Sequence, residues 1–246
     1  MTDVSPSPGR LRVESSSLIT PRMLRLVASI EREHLPLDPT CPNLVFRLSP
    51  PVDDEHGRTS GARPPSRTYT IRRHEPGANT VDIDVVLHGD GPFVRWAVAA
   101  APGDTIDATG PRPHAVPSFD AAAVVMAADE TGLPALASIV EHAPDGLPIV
   151  AFVEVADAAE EQRISTEAAL KLHWLHRDGA APGTTGSLEA AVRRLDWPAG
   201  RVDVWFAGET TEVRALRRFA MTERGVERSS VHAFGYWRRG RAGSPS

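Results

Sequence analysis

The hydrophobic positions of this chain change their spacing about halfway along. In the first half they form short runs at residues 11–13, 18–30, 44–48, 67–73, 81–87 and 104–108, rich in β-branched residues or alternating with polar ones. Pro and Gly separate the runs, so they predict strands of an antiparallel barrel or sandwich. Residues 92–101, PFVRWAVAAA, instead suit a short helix across the barrel mouth. Residues 50–66, PPVDDEHGRTSGARPPS, show no periodicity and predict a mobile surface loop.

After Gly110-Pro111-Arg112-Pro113 the pattern alternates between strand and helix. Strands are predicted at 121–127, 148–155, 171–176, 201–206 and 230–234, and helices at 132–142, 187–195 and 210–223. Ser187 suits an N-cap, and Gly225 suits a left-handed terminator. Such an alternation implies a parallel sheet covered on both faces. The expected architecture is therefore α+β in two domains: an antiparallel β-barrel over 10–117, then an α/β parallel-sheet domain over 118–238. Residues 1–9 and 239–246 read as flexible tails.

Composition narrows the function classes. A 246-residue chain with 41% hydrophobic residues can bury real cores. A net charge of −5 offers no broad basic field, so neither nucleic acid nor an anionic membrane is an expected partner. Cys41 is the only cysteine, which excludes an intrachain disulfide and suits a reducing compartment. Neither a signal peptide nor an apolar run of about 18 residues is present, and a cytoplasmic monomer is expected. The histidines and carboxylates lack metal-ligand spacing, so no bound metal is expected.

The chemistry-bearing residues fall in a few short stretches. Arg67 and Tyr69 alternate onto one face of a strand, with Thr68 and Thr70 between and after them. Such a set can grip a flavin nucleotide, with arginine on a pyrophosphate, tyrosine on the ring and Thr70 near the flavin N5, or it can form an ordinary amphipathic strand. In the second half the first strand leads into Ala128-Asp129-Glu130-Thr131-Gly132, where dinucleotide-binding folds place a glycine-rich turn. No GxGxxG is present, which leaves a helix N-terminus with Thr131 and Gly132 able to approach a pyrophosphate. Glu154 and Asp157, at the end of the next strand, could bind a ribose 2′-hydroxyl and favour NADH, or form a solvated strand end, and Arg163 could reverse the preference. Gly208 and Glu209 end another strand on the crevice side, where Glu209 faces a nicotinamide or complements the following helix.

Taken in order, Arg67-Thr68-Tyr69-Thr70, the run from Asp82 through Asp84, Val86 and His88 to Gly89, and Gly91-Pro92-Phe93-Val94-Arg95-Trp96-Ala97 resemble the siderophore-interacting protein family. Pro102-Gly103-Asp104, Gly110-Pro111, Asp129 to Ala135, Trp205 to Glu209 and Gly235-Tyr236-Trp237-Arg238-Arg239-Gly240 continue the match. That family comprises flavin-dependent ferric-siderophore reductases of the ferredoxin-reductase superfamily. The resemblance implies FAD held by Arg67, Thr68, Tyr69 and Thr70, beside the strand from Asp84 through Val86 to His88. Gly91, Pro92, Val94, Arg95 and Trp96 would clamp the pyrophosphate, although Val94 replaces the family's usual serine. It further implies NADH or NADPH at Asp129, Glu130, Thr131, Gly132, Glu154, Gly208 and Glu209, with Tyr236 and Trp237 near the flavin. His88 reads as positional, because electron transfer to iron needs no protein acid. An anionic ferric siderophore, as small-molecule substrate, would need a basic patch, for which Arg72, Arg73, Arg238, Arg239 and Arg241 are candidates. Two other readings remain at this point: a general flavin or electron-transfer reductase with another acceptor, and a siderophore-binding module without redox turnover.

Overall fold

A computed structural model describes residues 8–31, 37–38, 40–51, 66–89 and 91–241. Most of the loop expected at 50–66, and residues 1–7 and 242–246 of the expected tails, lie outside the described residues. The chain divides into two compact units, Met1–His114 and Ala115–Ser246.

The first unit contains β1 (Pro8–Thr20), β2 (Met23–Ile30), β3 (Leu44–Ser49), β4 (Arg67–Thr70), β5 (Arg73–Glu75), β6 (Thr80–Val86), helix α1 (Pro92–Ala99) and β7 (Thr105–Pro113). The run at 18–30 is not one strand. Pro21, which has no N–H to give a ladder, turns the chain so that Thr20 pairs with Met23 across a hairpin. The run at 67–73 is also broken. At Ile71 and Arg72 the backbone leaves β4, and the two amides bond to the carbonyls of Leu44 and Asp82, both at 2.8 Å.

This break shapes the unit. The strands pair antiparallel in the order β4-β3-β7-β1-β2-β6-β5, so the two edge strands are joined through Ile71 and Arg72. The sheet therefore curls until its edges meet in one bent stretch of chain. It is barrel-like, with its ladder open between β4 and β5. Leu11, Leu26, Phe46, Leu48, Val81, Ile83, Val85 and Ile106 fill its interior, and α1 adds Phe93 and Ala97 to that core.

The second unit contains β8 (Ala123–Asp129), α2 (Leu133–Glu141), β9 (Pro148–Val155), β10 (Ala169–His176), α3 (Ser187–Arg194), β11 (Val202–Glu209), α4 (Thr210–Thr222) and β12 (Val231–Trp237). The strands are parallel in the order β10-β9-β8-β11-β12. Every residue of β8 and β11 is buried, as central strands of a covered parallel sheet require. Leu188 and Val192 of α3 share a core with Val213, Leu216 and Phe219 of α4 and with Val204 and Phe206. The link from β9 to β10 holds only a single 3₁₀ turn, Ala158–Glu160, which Asp157 caps through the Ala159 amide at 2.9 Å. Ser187 is not the N-cap of α3. Gly186, at φ +64°, takes that place, and the serine hydroxyl is used elsewhere. Gly225, at φ +68°, turns the chain beyond α4 as expected.

The chain runs outward from β8 to β10 on one side and from β11 to β12 on the other. The C-terminal ends of β8 and β11 thus flank the point where strand order reverses, the usual place for a ligand crevice in an open α/β sheet. Close packing of α4 against β12 maintains these ends. A Cβ on Gly235 would lie 2.5 Å from the Thr210 hydroxyl oxygen and 3.2 Å from its Cα. Gly235→Ala is expected to destabilise the protein by about 1–3 kcal/mol, read as a lower urea midpoint.

Candidate functional site

In the first unit the candidate residues gather on β4, β6 and the start of α1. Tyr69 pairs in register with Phe46, and its ring stacks on Phe93 at 4.1 Å between centroids. Phe93 in turn meets Trp96 at 5.8 Å, so Tyr69 and Trp96 flank one ring that sequence reasoning had passed over. Burial pushes the Tyr69 phenol well above its usual range, and the nearby Arg67 charge opposes this only in part. Tyr69 is therefore a neutral aromatic surface.

Arg67 is half-buried, donates to the Ser66 carbonyl at 3.0 Å, and has no acidic partner among the described residues. Thr68 is exposed, while Thr70 is buried on the same side of the strand. Helix α1 opens at Gly91-Pro92 with no side-chain cap and no acid in its first turn, and Arg95 is exposed beside that start. A helix start lacking an acid, near an arginine, is receptive to an anion. Val94 is half-buried and offers no hydroxyl. These residues fit a flavin nucleotide: a neutral ring platform, a guanidinium and an uncapped helix N-terminus.

Other members of the predicted set serve the fold. Asp84 is buried and accepts two bonds from Arg25 of β2, at 2.7 and 2.8 Å, across the β2–β6 ladder. Val86 is buried. The His88 ring is exposed and donates from Nδ1 to the Val86 carbonyl at 3.1 Å, which suits the positional reading. Arg72 is buried, in contrast to exposed Arg73, because the break between β4 and β5 turns it inward. Its burial removes it from an exposed basic patch.

In the second unit the structure brings several of the candidates together at the switch point, where they bond to one another. Asp129 ends β8 with a buried carboxylate that accepts from the Thr131 amide (2.9 Å), the Thr131 hydroxyl (2.5 Å) and the Trp237 indole (2.6 Å). The Thr131 donors expected for a pyrophosphate are thus occupied. A Cβ on Gly208 would lie 2.6 Å from that carboxylate, and Gly208 sits at φ +148°, so glycine is required for the carboxylate to fit. Gly132 lets the start of α2 approach the sheet, since a Cβ there would meet Ala128 and Ala207 at 3.0 Å.

Glu154 is not presented to solvent either. It is 1% exposed and accepts from Arg177, Thr185 and Ser187. Arg177 also grips Glu130 with both terminal nitrogens, at 2.6 and 2.8 Å. The segment after β10 folds back over the end of β9, a contact between residues too distant in sequence for local patterning to reveal. Glu209 caps α4 through the amides of Thr211 (2.5 Å) and Glu212 (3.1 Å), matching its alternative reading. It also accepts the Arg239 amide at 3.3 Å, while the Thr210 hydroxyl donates to the Trp237 carbonyl at 2.7 Å. Arg238, Arg239 and Arg241 are exposed.

Carboxyls therefore crowd this end of the sheet. Burial and the neighbouring Glu130 charge push Asp129 up to about 6. Burial, then the charges of Glu154 and Asp129, push Glu212 up to about 7. Burial and the Asp129 charge also raise the Tyr236 phenol.

The two units together define a ferredoxin-reductase-like fold, an antiparallel barrel-like sheet followed by a parallel sheet with helices. A ferredoxin reductase of carbazole 1,9a-dioxygenase shares that fold alone, at 16% identity and a TM-score of 0.69, over 94% of this chain and 70% of that one. Closer likeness is more specific. Residues 121–240 match the siderophore-interacting protein family, and residues 37–115 match its siderophore-interacting FAD-binding domain. The chain is 33% identical over 204 residues to the ferric acinetobactin reductase of Acinetobacter baumannii, covering 81% of this chain and 68% of that protein. It also superposes on a siderophore utilization protein from T. fusca with a TM-score of 0.84 at 36% identity, over 98% of this chain and 96% of that one. The chain belongs to the siderophore-interacting protein family.

The raised Glu212 gives a signed prediction. Its folded form binds a proton more tightly than the unfolded chain, so the stability it contributes is lost as pH rises from about 4.5 to about 7. Glu212→Gln removes that loss. The variant is expected to be more stable than the parent by about 1–2 kcal/mol at pH 8, with the difference closing near pH 4.5, in urea denaturation at both pH values.

Proposed function

We propose that this protein is a ferric-siderophore reductase that holds FAD on its first unit and takes electrons from NADH or NADPH on its second. The observation that carries this reading is the family match across both halves, joined to a first unit whose Arg67, Tyr69 and α1 start suit a flavin nucleotide. The named activity of the Acinetobacter baumannii relative supports the substrate class.

Arg67 would pair with a pyrophosphate oxygen, and the amides at the α1 start would meet the same negative charge. The ring of Tyr69, already neutral and stacked on Phe93, would keep water from one face of the isoalloxazine. Flavin, when bound, supplies the conversion of a two-electron hydride donor into single electrons for Fe(III). One nicotinamide would then reduce two ferric centres and release one proton. Reduction frees the metal because siderophore oxygen donors hold the harder Fe(III) more tightly. Exposed Arg73, Arg238 and Arg239 could attract anionic ferric complexes.

The purified protein is expected to be yellow and to bleach anaerobically with a reduced nicotinamide, regaining colour on addition of a ferric siderophore. Faster turnover with ferricyanide and free flavin than with every ferric siderophore tried would favour a general reductase. Arg67→Ala removes a charge-assisted contact worth about 1.5–3 kcal/mol, so flavin affinity should fall by about one to two orders of magnitude. Fluorescence titration with FAD checks this, and an unchanged dissociation constant would remove Arg67 from the site.

A further inference from the structure

The terminal strand of the second unit is fastened at three points, all at the C-terminal edge of the sheet. Asp129 receives the Trp237 indole N–H, Thr210 donates to the Trp237 carbonyl, and Glu209 receives the Arg239 amide. Only the first of these bonds holds the ring. The indole reaches from β12 to the end of β8, and its far edge faces the segment after β10, where a Cβ on Gly183 would lie 3.1 Å from the Trp237 Cη2 and 2.9 Å from the Glu209 Cγ. Glycine at 183 and glycine at 208 are what allow the ring and its acceptor to occupy this place.

We propose that Asp129 is a positioning residue that latches Trp237 across the ends of β8 and β11, so that a dinucleotide enters this crevice only by displacing the indole. The proposal rests on the reading that the second unit takes the nicotinamide. It accounts for Asp129 remaining in a buried position beside the charge of Glu130, a placement that burial and that charge both disfavour. Its three donors oppose that penalty, and one of them is the ring that closes the crevice. It also separates the roles of two neighbouring acids: Glu209 fixes the backbone around Trp237, and Asp129 fixes its side chain.

The test is a double-mutant cycle on KM and kcat for NADH, with ferricyanide as acceptor, in the parent, Asp129→Asn, Trp237→Phe and the double variant. Each single substitution loosens the latch and should lower KM by about tenfold, with a smaller change in kcat. The double variant should match a single one, because Asp129 acts through Trp237. A purely electrostatic effect of removing the Asp129 charge would persist in the Trp237→Phe background, and additive changes in KM would overturn the proposal. An unchanged KM in Trp237→Phe would do so too, and that variant serves if Asp129→Asn does not fold. A parent protein that oxidises no nicotinamide would refute the underlying reading instead. The latch is then judged by acrylamide quenching of Trp237, taken as the difference from Trp237→Phe: greater quenching in Asp129→Asn supports it, and equal quenching overturns it.

Discussion

A carboxylate taken out of water must be met by donors or give up its charge, and Asp129 at the head of β8 imposes that requirement on the second unit. It accepts three hydrogen bonds, two from Thr131 within its own turn and one from Trp237 on the last strand. Gly208 leaves it space, and Thr131 turns the backbone into α2 around it. The end of β8, the end of β11 and the terminal strand are therefore one connected assembly. In a sheet whose order reverses between these strands, the assembly lies where a dinucleotide fold receives its ligand.

The first unit solves a different problem. A barrel-like sheet must bend sharply somewhere, and here the bend falls between β4 and β5, immediately after Arg67-Thr68-Tyr69-Thr70. The motif thus ends at a break in the ladder, with Tyr69 stacked on the first turn of α1. The Tyr69–Phe93 stack links this strand to the helix start, which brings the phenol ring beside the uncapped end of α1. The Arg25–Asp84 pair stiffens the neighbouring ladder from β2 to β6.

How far the sequence foretold this depended on the range of the interactions. Alternation and turn residues announced both sheets, the helix at 92–101 and the strand at 148–155, because those signals are local. Pro21 was local too, yet it was lost inside an apolar run that extends on both sides of it. The site was legible only in part. Asp129, Glu154, Glu209 and Trp237 were singled out, but what they touch was not visible, because Asp129 and Trp237 are 108 residues apart and Glu154 meets Thr185 and Ser187 31 and 33 residues later. Arg177 and Arg25 were overlooked, and Thr210 and Phe93 were given no role, for the same reason: each has a partner distant in the sequence. Arg72 and Arg73 look equivalent in sequence, and only the bend in the chain turns one inward and leaves the other out.

The near absence of lysine, Lys171 being the only one, bears on how these buried acids are held. Two of the bridged sites among the described residues, one in each unit, use a guanidinium as a fork on one carboxylate: Arg25 on the two oxygens of Asp84, and Arg177 on the two oxygens of Glu130 with Glu154 beside it. An ammonium would present a single charged centre, hold one oxygen well and leave the second to be satisfied by water that these positions exclude. It could also lose its proton in such surroundings, whereas arginine stays charged. The arginine bias of the chain is thus compatible with carboxylates buried at the ends and faces of its sheets. Around Arg177 it leaves one buried cation beside Glu130 and Glu154, while Arg238, Arg239 and Arg241 stay exposed beyond the last strand, so the guanidinium that neutralises the buried acids is separate from those that face solvent.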